Sequence, residues 1–305
     1  MKKYIIQRVS SGILTLFVVI TLTFFLMRAI PGGPFTDERA IPSYVLENLM
    51  KQYGLNDPVY IQYGRYLWNV LNFDLGPSYR YEGMTVNEII ASSFPISCIV
   101  GSIALTISLV LGIPAGIISA LKRNKWQDRL AMILATLGIT IPNFVIATAL
   151  VYIFAYNLGW VSVGFWEGIS TAVLPAVTLA GYPTAFISRL TRSGMLEIMQ
   201  QDYIRTAYSK GLRERAVVYI HALKNALIPV ITYLGPLIAG ILTGSFVVEQ
   251  VFGIPGLGTF FVTSITNRDY TMIMGVTIFY SALLVLLNLI ADIFLALIDP
   301  RIKLK

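Results

Sequence analysis

Residues 202–232 read DYIRTAYSKGLRERAVVYIHALKNALIPVIT, a basic amphipathic stretch set between two long apolar ones. Tyr203, Ala207, Gly211 and Leu212 recur at spacings of four, four and one, while Arg205, Lys210, Arg213 and Arg215 face elsewhere. Gly211 inside a helix would cost about 1 kcal/mol against Ala, so the spacing predicts a turn there between two short helices. Val217, Ile220 and Leu223 carry an apolar face on into the next segment. Two readings fit these residues: a helix lying among anionic lipid head groups, and a docking site on which another protein pushes.

The rest of the chain decides what surrounds that stretch. Of its 305 residues 56% are hydrophobic and 13% charged, with mean hydropathy +0.70. A soluble domain carries about 25% charged residues, so this is the composition of an integral membrane protein. The net charge of +7 comes from Lys and Arg beside apolar runs, which points to a lipid bilayer and away from nucleic acid. The single Cys98 excludes an internal disulfide framework, and the lone His221 argues against a histidine metal site. Met1-Lys2-Lys3 before an apolar run imitates a signal peptide. Yet Val9–Ile30 outlasts a typical signal core and no Ala-x-Ala follows, so an uncleaved first span is expected.

Roughly 20 helical residues cross the hydrocarbon layer. Val9–Ile30, Ile96–Leu121, Leu130–Tyr156, Thr171–Ile187, Ala226–Val248 and Met272–Ile298 qualify. The expected fold is an all-α polytopic membrane protein of six transmembrane helices. It divides into residues 1–30, with the first span; an extracytoplasmic helical segment, 31–95; and a five-helix transmembrane domain, 96–305, holding loop 188–225. The N-terminus, residues 122–129, loop 188–225 and the C-terminus together carry 17 of the 23 Lys and Arg. Excess positive charge marks the inside, so both termini are expected in the cytoplasm. Arg28, near the outer end of the first span, is expected to snorkel to the interface. Trp126, Trp160 and Trp166 fall beside span ends, as an aromatic belt requires.

In the outer segment, Ser43 precedes a helical stripe, and Asp57-Pro58 reads as an N-cap with Pro at the first helical position. Thr85 to Ser92 is a candidate short third helix. The segment reads as a lid, serving either as a packing cap or as a contact for a delivery protein. Glu249 to Tyr270 is expected to be a loop, with the glycines and proline of Phe-Gly-Ile-Pro-Gly-Leu-Gly (252–258) making a tight turn.

Candidate intramembrane sites follow. Asn288 and Asp292 share one face of the last span, four residues apart; a polar partner on a neighbouring helix, snorkelling and a place on a transport path all fit. Glu249, near the outer end of span five, reads as an interfacial anchor or a gate-side contact. Gly112-x-x-x-Gly116 and Gly240-x-x-x-Gly244 fit close helix approach, within the subunit or against a second one. Pro114, Pro142, Pro175, Pro183 and Pro236 suit bent helices around a cavity. No Gly-Lys pair exists, so no P-loop can be built; His-Glu-x-x-His and Gly-x-Ser-x-Gly are also missing. No catalytic residue, metal site or cofactor is expected in this chain, and energy must come from a partner or an ion gradient.

The 202–232 stretch is similar to the cytoplasmic loop of binding-protein-dependent ABC-importer permeases, whose pattern is Glu-Ala-Ala, three residues, then Gly. Here Arg205-Thr206-Ala207 stands in the first three places and Gly211 in the last, with Pro229 closing the motif. Arg-Thr-Ala-x-x-Lys-Gly-Leu followed by His-Ala-Leu-Lys-Asn-Ala-Leu-Ile-Pro is the form of the peptide and nickel branch. Pro31-Gly-Gly-Pro34, Phe73-Asp-Leu-Gly-Pro-Ser78, Ser93-Phe-Pro95, Gly253–Gly258, Asn267-Arg-Asp-Tyr270 and Ile298-Asp-Pro-Arg301 extend the resemblance, which is to B-type permease subunits of oligopeptide importers. The resemblance implies a non-catalytic permease in a bacterial or archaeal cytoplasmic membrane. It also implies partners: a second permease subunit, two ATPase subunits that bind ATP and Mg, and an extracytoplasmic binding protein that delivers peptide. By motif position it carries ATPase coupling to Thr206, Ala207, Gly211, Leu212 and Arg213. Dipeptide, glutathione and nickel importers use similar permeases. An ion-coupled secondary transporter is the main rival, and Asp292 is the one carboxylate clearly available to it.

Overall fold

Hydrocarbon offers the backbone no hydrogen-bond partners, so each apolar run must satisfy its amides internally, as a helix. The computed structural model describes residues 2–31, 33–35, 43–162, 164, 166–242 and 245–298. Among them lie α1 (Lys2–Ala29), α2 (Ser43–Gln52), α3 (Val59–Leu71), α4 (Val86–Leu121), α5 (Trp126–Thr140), α6 (Asn143–Leu150) and α7 (Ile169–Ile198). After them come α8 (Asp202–Ser209), α9 (Glu214–Ala216), α10 (Leu223–Ala226), α11 (Ile228–Leu242), α12 (Phe246–Phe252), α13 (Leu257–Thr266) and α14 (Tyr270–Ile298). π-helical turns at Val151–Asn157 and Val217–Ala222 extend α6 and join α9 to α10.

Among the described residues four helices can cross a membrane unaided: α1, α4, α7 and α14. The expected third and fifth spans are bent. α5 and α6 meet at 100° and the 214–226 segment meets α11 at 50°. At the first bend Pro142 supplies no amide and holds the residue before it extended: Ile141 has φ −79° and ψ 122°. The fifth span stops at Leu242, short of the expected Val248. What reads as a loop after Glu249 is the helix pair α12–α13, bent by 97°. The end of α11 packs on the first half of α4, where an added Cβ on Gly101 would lie 3.0 Å from the Ile241 carbonyl, and Thr271 at the head of α14 bonds to Pro77. The end of α11 and the start of α14 therefore lie at one end of the bundle, the lid end. The bent pair between them leaves and returns on the same side, and six crossings remain.

α7 is the central helix. Gly112 and Gly116 of α4 let the two backbones approach: an added Cβ would lie 2.9 Å from the Thr184 carbonyl oxygen and 2.6 Å from that of Ser188. This glycine pair packs within the subunit. Gly240 does not; a Cβ there would meet nothing within 4 Å, and Gly244 lies outside the described residues. The main core joins Val100 and Ala104 of α4, Ala147 of α6, Ala176 and Ile187 of α7, Leu237 and Ile241 of α11 and Val248 of α12.

Thr85 to Ser92 is not a separate helix. A capping box starts α4 there: Glu88 N donates to Thr85 Oγ1 at 3.2 Å and Thr85 N to Glu88 Oε2 at 2.8 Å. Asp57 does not cap α3, which begins at Val59 behind Pro58; its carboxylate instead takes Arg65 at 2.5 Å. Nor does Arg28 snorkel outward: its guanidinium lies 4.5 Å from the Phe24 ring centroid and donates to Gln62. The lid is fixed by Asp269, a fully buried carboxylate. Its oxygens accept from Ser78 Oγ, from the Tyr79 amide at 3.2 Å, from Thr271 Oγ1 at 3.0 Å and from the Met272 amide at 3.1 Å. Asp269 thus holds Phe73–Ser78 and Asn267–Tyr270 together across 190 positions of chain.

Candidate functional site

α7 runs to Ile198, so the first third of the expected loop 188–225 is continuous helix. α8 then lies against the end opposite the lid, here called the basic end. Ile204 is fully buried and Ala207 is 6% exposed, packed with Met195 of α7, Ile117 and Ala120 of α4, and Val217, Val218 and Ala222. Each fully buried aliphatic side chain contributes about 1.5–3 kcal/mol, which ties the short helix to the ends of α4, α7 and α10. Asn225 Nδ2 also donates to the Tyr203 hydroxyl at 2.9 Å.

The end of α8 explains Gly211. The Gly211 amide donates to the Tyr208 carbonyl at 2.9 Å and the Leu212 amide to the Ala207 carbonyl at 3.3 Å. These are the paired bonds of a Schellman cap, with glycine in the left-handed position at φ +78°. The turn expected at Gly211 is present, and it sends the chain into α9 with Lys210, Leu212, Arg213, Glu214 and Arg215 exposed.

The five residues assigned to coupling therefore separate. Thr206, Gly211, Leu212 and Arg213 are exposed, as is Tyr208. Ala207 points into the subunit's own core and fixes α8 in place; nothing outside can grip it. His221 is exposed on the π-helical turn.

The intramembrane candidates fall elsewhere. Asp292 pairs with Arg8 of α1 at 3.1 Å, which joins the first and last spans. Asn288 sits beside Gly235 of α11, where an added Cβ would lie 3.2 Å from its Oδ1. Glu249 is not an interfacial anchor, being 2% exposed. It accepts from Ser97 Oγ of α4 at 2.7 Å and from the Thr259 amide, in the first turn of α13, at 3.1 Å. Ser97 Oγ in turn accepts the Leu257 amide at 3.0 Å. A carboxylate at a helix N-terminus satisfies amides that lack intrahelical partners. Gly256 and Gly258 make room for it: added Cβ atoms would lie 2.5 and 2.9 Å from its Oε2.

One cluster escapes the sequence reading. Asp128, at the start of α5, accepts from Arg192 Nε at 2.8 Å and Nη2 at 2.9 Å, from the Asn124 amide at 2.9 Å, and from Ser119 Oγ. It ties α5 to α4 and to α7 just before α8. The signal available was an acidic residue alone among Lys122, Arg123, Lys125 and Arg129.

These features define a class: a multi-pass membrane protein that crosses the bilayer six times and presents a rigidly backed helix at its basic end. The chain belongs to the family of binding-protein-dependent transport system inner membrane components. That family's model matches residues 112–304, and the model of the matching N-terminal region covers residues 1–103. The chain is 48% identical over 304 residues to a dipeptide transport system permease protein of Bacillus subtilis, covering 100% of this chain and 99% of the relative. It is 45% identical over 305 residues to an oligopeptide transport system permease protein of Escherichia coli, covering 99% and 100%. In fold it matches a chain of the inward-facing MetNI methionine ABC transporter with TM-score 0.56, at 16% identity, over 69% of this chain and 96% of that one. It is thus a multi-pass inner-membrane permease subunit of an ABC transport system.

Proposed function

We propose that this chain forms half of the translocation pore of an ATP-driven importer of short peptides. A second, homologous permease subunit would form the other half. Two ATPase subunits, which bind the ATP and Mg, would dock at the basic end, and an extracytoplasmic binding protein would deliver peptide at the lid end. The basic end and both termini then face the cytoplasm. The observation that carries this reading is α8: a helix buried on one side against α4, α7 and α10, with its other side and the following turn exposed. A displacement of that surface is passed to α7 as rigid-body motion, which is what alternating access requires. The peptide cargo is supported by the near-complete overlap with dipeptide and oligopeptide permeases. Exposed Thr232, Pro236 and Gly240 recur every fourth residue along α11 and suit close approach by a second permease.

The test is crosslinking in an assembled complex with the native Cys98 replaced by Ser. Leu212→Cys should crosslink to an ATPase subunit, with a yield that changes when nucleotide binds. Failure of any crosslink from Leu212→Cys or Tyr208→Cys in an active complex refutes the docking assignment.

A further inference from the structure

A groove of about 630 Å³ runs along the membrane-spanning part of the chain, with α7 as its floor and α4 and α5 as its walls. α5 is tied to α7 near both ends of it. At one end an added Cβ on Gly138 would lie 3.0 Å from the Gly181 carbonyl oxygen, and at the other Asp128 takes Arg192 at 2.8 Å. Between the ties, the small side chains of Ala115, Ala131 and Ala185 leave the space open. Leu111 and Ile118 line it from α4, and Leu130 and Leu134 from α5. All four are exposed, so an occupant reaches them directly. Sites that hold small molecules span about 300–1,000 Å³ and are mostly apolar; this one has the size and lining for a hydrocarbon chain.

Its mouth at the basic end has a different chemistry. Trp126 lines the groove there and is 69% exposed. Lys122 is next on the α4 stripe, because Ile107, Leu111, Ala115, Ile118 and Lys122 recur at steps of four, four, three and four. Lys122, Arg123 and Lys125 are exposed, and none of them is in an ion pair among the described residues. The one acid of residues 122–129, Asp128, is buried and turned to Arg192. Indoles sit at the level of lipid head groups, and basic side chains there attract anionic ones. The groove also looks away from α11. Phe186 of α7 meets Tyr233 of α11, ring centroids 4.4 Å apart. Val177, in the groove floor, precedes Phe186 by about two and a half helical turns, which puts it on the opposite side of α7. With α11 given to a second permease, this side is left to lipid.

We propose that the groove between α4, α5 and α7 seats one acyl chain of an anionic phospholipid from the leaflet at the basic end. The phosphate lies against Lys122, the glycerol beside Trp126, and the chain along Leu111, Leu130 and Leu134. The assignment rests on the reading of α11 as the face toward the second permease, and it is independent of the cargo.

Quenching of Trp126 fluorescence by brominated lipid tests this in nanodiscs of the assembled permease–ATPase complex, with Trp126→Phe subtracted to isolate the one indole. Brominated phosphatidylglycerol, diluted into phosphatidylcholine, should half-quench at a mole fraction at least about fivefold below that of brominated phosphatidylcholine, the worth of one cation at the interface. Lys122→Gln changes only an exposed side chain and should cut that preference about fivefold. Ala131→Phe, or Ala115→Leu from the facing wall, fills the groove with every cation in place and should also lower the preference. Equal quenching by the two lipids in the wild type overturns the proposal, as does an undiminished preference in Lys122→Gln. A preference that survives filling of the groove is charge attraction alone and overturns the seat for the chain. Crosslinking of Leu134→Cys to the second permease subunit, with Cys98 replaced by Ser, gives the groove to protein and overturns it too.

Discussion

Cutting the Asp128–Arg192 pair should loosen the joint between the proposed docking surface and the span that bends. The Asp128 side chain is 5% exposed and that of Arg192 25%. Removing one member of a buried, hydrogen-bonded pair costs about 3–5 kcal/mol, because the other is left charged and unmatched. Arg192 still reaches water, so Asp128→Ala should fall near the lower end, about 3 kcal/mol. Arg192→Met leaves Asp128 with Ser119 and the Asn124 amide, and should cost about 2 kcal/mol. The double variant removes both charges together and should cost clearly less than the sum, with a coupling energy of at least about 1.5 kcal/mol. Equilibrium unfolding of the purified subunit in mixed detergent–SDS micelles gives the four free energies. ATP consumed per peptide imported, in proteoliposomes, should rise in each single variant and recover in part in the double. Single effects that add to within about 0.5 kcal/mol would refute the pair as an energetic unit. An unchanged ATP-to-peptide ratio in the single variants would refute its role in transmission.

Further outcomes follow from the same geometry. Gly211→Val places a β-branched residue at φ +78° and should destabilise the α8 cap by about 1–2 kcal/mol; limited proteolysis should then cut between 205 and 215 faster, and unchanged cutting would contradict the cap. A membrane-impermeant maleimide added from the basic side should label Leu212→Cys quickly and Ala207→Cys hardly at all; equal rates would contradict the inward orientation of Ala207. Gly256→Val drives a side chain into the Glu249 carboxylate and should lower assembled complex on native gels, whereas Glu249→Gln, which keeps the shape and one of the two acceptor oxygens, should retain most of it.

How much of this was legible follows from what each residue type reports. Six apolar runs announce helices, because length and hydropathy act over twenty residues at a time, and the charge at their ends orders them. The bends were only partly legible: Pro142 marks one, but nothing in residues 151–157 announces a π-helical turn. Gly211 was readable as a turn because a glycine in a strong helical pattern needs a reason. Ala207 was misplaced because motif position does not say which side of a helix faces home. Glu249 was misjudged and Asp128 missed for a common reason: their partners, Ser97 and Arg192, lie 152 and 64 positions away. Asp269 stood in plain view within a quoted motif, yet its four donors come from two segments that meet only in the fold.

α7 runs as one helix from the lid side to the basic end, with Pro175 and Pro183 inside it. Its 30 residues make a strut about 45 Å long, while the bends and π-helical turns sit in its neighbours. Stiffness and compliance are thus assigned to different strands of the machine. If the strut rocks by about 10° around its middle, each tip sweeps about 4 Å, the scale of one helical turn. A displacement that small at the basic end would then reach the lid end, with the bent neighbouring helices taking up the mismatch.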